Sequence, residues 1–139
     1  MTKTVKMPAK VQKFIKDDIG LFINNVYVNS ENKNTFDVYN PADDTLITRV
    51  SEANSKDIDY AVECAEKAFK GEWSQLTAQE RSDLIIKFTD LLEENKEELA
   101  YLEALDNGKS YEIALTDDIP GAINQFRYYA GWATKVLGQ

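Results

Sequence analysis

The stretch Thr45-Leu46-Ile47-Thr48-Arg49-Val50-Ser51-Glu52-Ala53-Asn54-Ser55-Lys56-Asp57-Ile58-Asp59-Tyr60-Ala61-Val62 is where the chain changes its periodicity, and its reading decides the fold class. Through Val50 the side chains alternate, Leu46, Thr48 and Val50 against Ile47 and Arg49, which is the period of two of a strand. From Ser55, the expected N-cap, the apolar positions Ile58, Ala61, Val62, Ala65, Ala68 and Phe69 recur at helical spacing until Gly71 ends them. The chain is therefore read as strands before Ser51 and helices after it.

Upstream, Leu21-Phe22-Ile23 and Val26-Tyr27-Val28 flank Asn24-Asn25, a pair that tolerates positive φ and suits a two-residue hairpin turn. Thr35 to Tyr39 is a third strand, and Asn40-Pro41-Ala42-Asp43-Asp44 turns it into a fourth running from Thr45 to Val50. Downstream, Gly71-Glu72-Trp73-Ser74 reads as a loop. Thr77 and Glu80 then form the Thr-x-x-Glu box that opens a helix whose core face is Leu84, Ile85, Phe88, Leu91 and Leu92. A further helix carries Leu99, Leu102 and Leu105 and closes at Asn107-Gly108. Ser110 can cap a short turn through Ile113 and Leu115. Pro120 sits where a first helical turn accepts it, and the last helix runs through Ile123, Phe126, Ala130, Ala133 and Leu137 to Gly138. The expected fold is α+β: a small antiparallel layer of two hairpins, followed by four or five helices.

Composition narrows the function classes. The 139 residues include no histidine and one cysteine, with 43% apolar and 29% charged side chains, the balance of a globular domain. Without imidazole, Ser-His-Asp and Cys-His catalysis are excluded and the commonest zinc ligand is missing. A lone cysteine excludes an internal disulfide, and an intracellular chain is expected. No apolar run approaches the ~20 residues of a membrane span, so no membrane partner and no export are expected. Lys3, Lys6, Lys10, Lys13 and Lys16 precede any acid, leaving 11 basic against 24 acidic residues from Asp17 onward, a body charge of -13. Such a body repels a phosphate backbone, so no nucleic-acid partner is expected. Residues 1–19 read as a flexible basic arm, with a mitochondrial presequence as the alternative, and residues 20–139 as the folded unit.

Candidate chemistry is sparse. Cys64 lies mid-helix near Glu63 and Glu66, the opposite of the electropositive setting that activates a thiol. The acidic pairs Asp43-Asp44, Glu93-Glu94, Glu97-Glu98 and Asp117-Asp118 lie in turns or on polar helix faces and read as solvated surface. No calcium-loop spacing and no Gly-x-x-x-x-Gly-Lys loop is present. Phe126, Tyr128, Tyr129 and Trp132 wrap more than half the circumference of one helix. Either that helix is central, or part of it waits for another surface.

Four motifs carry a resemblance: Leu21-Phe22-Ile23-Asn24, the Asn40-Pro41 turn, Glu103-Ala104-Leu105-Asp106-Asn107-Gly108-Lys109, and Arg127-Tyr128-Tyr129-Ala130-Gly131-Trp132-Ala133. In order and spacing they resemble the N-terminal part of the aldehyde dehydrogenases, over about residues 20–139. The chain is most similar to the cytosolic and mitochondrial NAD(P)-dependent enzymes that oxidise simple aldehydes to acids. The resemblance implies a cytoplasmic location, or a mitochondrial one, and a cysteine that attacks the aldehyde, hydride transfer to NAD or NADP, a glutamate that activates water and an asparagine at the oxyanion. None of these matches a position in this chain, and Cys64 is not the catalytic cysteine. The expectation is a fragment or truncated form of such an oxidoreductase, not catalytic and binding no dinucleotide alone. The alternative is a stand-alone interaction module that associates with full-length aldehyde dehydrogenase subunits. The resemblance also implies a monovalent-cation site at Val38, Tyr39 and Asp106, and a substrate-tunnel edge at Asp117 and Gly121, where glycine leaves a wide mouth. The residues by themselves read Asp106 as a helix-end acid.

Overall fold

Asn24 and Asn25 set the first hairpin, with φ of 52° and 66°, the left-handed pair whose twist matches the flanking strands. The computed structural model describes residues 5–136. In it the turn joins β1 (Leu21–Ile23) to β2 (Val26–Val28), Leu21 opposite Val28 and Ile23 opposite Val26. Gly20 makes room for this pair, since a Cβ there would lie 2.6 Å from the Val28 carbonyl oxygen. β3 (Thr35–Tyr39) and β4 (Leu46–Ser51) form a second antiparallel pair. In the turn between them Asn40 Oδ1 accepts the Ala42 N–H, and Asp43 accepts the Thr45 N–H and hydroxyl. The hairpins are separate two-stranded sheets, linked through an Ile19–Val50 parallel bridge.

The basic stretch expected as a flexible arm carries structure. Its first four residues lie outside the described part, but α1 (Ala9–Phe14) is helical and inserts Val11, which is buried. Lys10 reaches Glu98 at 3.3 Å and Asn95 at 2.9 Å. An apolar residue among the lysines gives this short helix something to bury, and the acids of the neighbouring helix attract its charge.

After Ser51 the helices follow: α2 (Ser55–Lys70), α3 (Glu72–Gln75), α4 (Ala78–Glu94), α5 (Lys96–Asn107), α6 (Tyr111–Ile113), and α7 (Ile119–Trp132). Asn54, not Ser55, caps α2. Its side chain accepts the Lys56 and Asp57 N–H groups while Asp57 accepts the Asn54 N–H, a reciprocal box that Ser55 has no acid to complete. The expected loop at 71–74 contains α3. At α4 the Thr77–Glu80 box is present as read. Gly108 ends α5 with φ of 67°. Leu137 and Gly138 lie outside the described residues, and α7 closes at Trp132.

Burial departs from the stripes read in the sequence. On α4 the buried positions are Ser82 and Thr89, while Leu84, Phe88 and Leu91 are exposed. The main neighbour of α4 is α7, whose Phe126 meets Phe88 edge-on while leaving both rings partly open. Thr89 tolerates burial because its hydroxyl donates to the Ile85 carbonyl at 2.7 Å. Ile123 and Ala130 of α7 and Ala100 of α5 are buried as well. On α2 the stripe stays open: Ile58, Val62 and Phe69 are 56%, 61% and 67% exposed, and the main neighbour of α2 is the four-residue α3.

Candidate functional site

The two motifs that anchor the resemblance meet in space. Gly108 is left-handed, and a Cβ on it would lie 3.1 Å from Pro41 Cβ and 3.2 Å from Ala42 N. Only glycine meets both conditions, the positive φ and the close approach. The Asn40–Pro41 turn is thereby pressed onto the end of α5. Beside this contact opens a cavity of about 870 Å³ bordered by Asn40, Tyr101, Leu105, Lys109, Tyr111 and Leu115. Tyr101 and Tyr111 pair at its border, ring centroids 5.9 Å apart.

Lys109 follows Gly108 and is held by two carboxylates, Glu103 Oε1 at 2.9 Å and Asp118 Oδ2 at 2.8 Å. The Asp118 bond first, then that to Glu103, pushes the ammonium above its ordinary pKa. Asp118 ends a π-helical turn, Ala114–Asp118, in which the Ile119 N–H reaches back five residues to the Ala114 carbonyl. Pro120 explains the wide turn. It has no N–H for the Thr116 carbonyl, and its ring would collide with that carbonyl in a regular helix. Pro120 lies in the first turn of α7, as the sequence reading has it, and α6, the π turn and α7 follow one another as a continuous helical path.

Asp117 and Gly121 stand four residues apart on this path, and both are exposed. A Cβ built on Gly121 meets nothing within 4 Å, so packing among these residues does not demand glycine there. Val38 and Asp106 border one cavity of about 400 Å³, together with Glu103 and Ile119. Tyr39 is not among the residues bordering it. Its hydroxyl donates to Asp37 Oδ2 at 2.9 Å, and that carboxylate raises the phenol above its usual pKa. Among the described residues no three histidine, cysteine or acidic side chains converge on a metal position. Cys64 is half-buried on α2 beside Tyr60, whose hydroxyl is pushed up by its hydrogen bond to the thiol. The Lys109 clamp and the π turn were missed in the sequence. The signal for them was Pro120 inside an otherwise uninterrupted helical pattern.

The model of the aldehyde dehydrogenase family matches residues 27–139, and the chain belongs to that family of oxidoreductases. It is 43% identical over 98% of its length to an aldehyde dehydrogenase of Alternaria alternata, and 48% identical over 87% to one of Emericella nidulans. The NAD+ complex of the Bacillus cereus aldehyde dehydrogenase superposes on 97% of the chain with a TM-score of 0.94 and 48% identity. These alignments take in 27%, 24% and 28% of the respective relatives, so the chain spans about a quarter of their length. It is an N-terminal segment of the superfamily's fold.

The family binds NAD(P) in its full-length structures. A pyrophosphate is typically held where a parallel strand gives way to a glycine-rich turn and a helix N-terminus. The described residues form antiparallel hairpins with one isolated parallel bridge.

Proposed function

We propose that this chain forms the N-terminal wall of an enzyme that oxidises aldehydes to carboxylic acids with NAD or NADP, serving as scaffold and substrate mouth and not as the reacting centre. The single observation that supports this reading most strongly is the large set of exposed apolar side chains among the described residues. It includes apolar side chains on α2, on α4 and on the aromatic face of α7, the faces that a larger fold would cover. Within that reading Asp117 and Gly121 edge the aldehyde entrance, and the bare Gly121 suits bulky aldehydes. Val38, Tyr39 and Asp106 form a monovalent-cation site: the Asp106 carboxylate and main-chain oxygens are the hard donors such a cation takes, and Val38 and Asp106 share a cavity.

The test is complementation. The chain is mixed with the Bacillus cereus relative from which the matching segment has been removed, and NAD(P)H formation from an aldehyde is followed. The chain alone is expected to be silent, and the mixture active. Turnover by the chain alone overturns the division of labour. A silent mixture, combined with binding of the chain to intact subunits, favours the second reading, an interaction module that uses the same open faces.

A further inference from the structure

We propose that Lys109 is a positioning residue for the aldehyde entrance, fixing the rotation of the π turn and hence the direction in which Asp117 and Gly121 face; this rests on the entrance reading above. Three observations carry it. First, the ammonium is committed. It sits between Glu103 on α5 and Asp118 at the end of the π turn, at 2.9 and 2.8 Å, with all three side chains only about one-third exposed. Two of the three ammonium N–H donors are taken by these carboxylates, so the charge of Lys109 is spent on its neighbours and it acts through them. Second, the turn it grips is under-determined by its own backbone. Pro120 offers no N–H, and a π turn differs from an α turn by one residue of register. A change of that register rotates everything between the turn and α7 relative to α5. The clamp at Asp118 ties the wide register to α5. Third, Asp118 is flanked by Asp117 and lies three residues before Gly121, so the gripped residue and the entrance residues rotate together.

The experiment uses the reconstituted enzyme in which this chain replaces the matching segment of the Bacillus cereus relative. Steady-state kinetics are measured with one small and one bulky aldehyde, and amide hydrogen exchange is followed across residues 114–119. Lys109→Met is expected to raise KM for the bulky aldehyde about tenfold more than for the small one, with faster exchange across the π turn, and Lys109→Arg to recover most of that loss. Asp118→Asn, which keeps the side-chain shape and the Glu103 bond, should act in the same direction more weakly. It carries the test if Lys109→Met does not assemble. Equal changes in kcat and KM for both aldehydes, or no change, overturn the proposal. Gly121→Leu separates the two levels. If it shifts KM for the bulky aldehyde while the Lys109 and Asp118 variants do not, the clamp is merely structural and the entrance reading stands. If Gly121→Leu changes nothing either, the entrance reading falls and the proposal falls with it.

Discussion

The seam between α4 and α7 and the outer face of α2 carry the same kind of pattern, apolar or small residues three and four apart, and they end differently. In the seam Thr89, Ile123 and Ala130 are sealed, and Phe88 meets Phe126 edge-on at 5.1 Å between ring centroids. On α2 the sequence is the more amphipathic of the two, yet none of its residues is buried. A hydrophobic period therefore states which face of a helix is to be covered, and not whether the covering element is within reach. Local devices do not follow that division. Both helices are capped by reciprocal boxes, Asn54 with Asp57 and Thr77 with Glu80.

The strongest way to break the comparison is Ile123→Ala, which should cost about 2–5 kcal/mol in urea unfolding followed by circular dichroism. A cost below about 1 kcal/mol would mean that the seam does not hold the fold together. Next come the caps. Thr77→Ala should lower global stability by about 1 kcal/mol, because α4 belongs to the seam. Asn54→Ala should leave the global midpoint in place and show itself as faster hydrogen exchange confined to the first turn of α2.

Acid sharpens the same contrast. The Glu80 carboxyl is held below its ordinary value by the Thr77 N–H and then the Thr77 hydroxyl, and that of Asp43 by the Thr45 hydroxyl and then the Thr45 N–H. A carboxyl lowered on folding contributes stability above its unfolded value, 4.5 for Glu80 and 3.8 for Asp43, and loses it as pH falls through the folded one. A Glu80→Gln variant titrated from neutral to acid pH should lose less stability than the parent chain. At the other end, the raised ammonium of Lys109 contributes below 10.5 and is lost as pH rises through its folded value. The smallest expected effect is on α2. Val62→Ser should change stability by no more than about 0.5 kcal/mol while reducing binding of a hydrophobic dye. A larger loss would show that the open face is already covered.

Much of this was legible in the residues. Asn24-Asn25 announced the first hairpin, Thr77 and Glu80 the start of α4, and Asn107-Gly108 the end of α5, because each is a short-range device whose partners lie within a few positions. The aromatic wrap of α7 correctly left open that part of the helix waits for a surface: Phe126, Tyr128, Tyr129 and Trp132 are all exposed. What was not legible depended on distance. Leu84, Phe88 and Leu91 looked like the core face of α4, but the buried positions are Ser82 and Thr89. Val11 was hidden among lysines, with nothing local to say that α5 would receive it. The site followed the same rule. Asp106 and Gly121 entered only as expectations from the resemblance, whereas the ion pairs of Lys109 join residues whose meeting needed the loop and the wide turn to be built first.

The contact of Gly108 with Pro41 has a kinetic consequence. The β3–β4 hairpin and α5 can each form from local contacts in microseconds, but their docking closes a long loop and adds little until both partners exist. The docking, and not the formation of either element, is therefore the slow event. A substituent on Gly108, which keeps the turn from seating on α5, should then slow folding as well as hasten unfolding, and the split between the two rates records how much of the contact is made at the barrier.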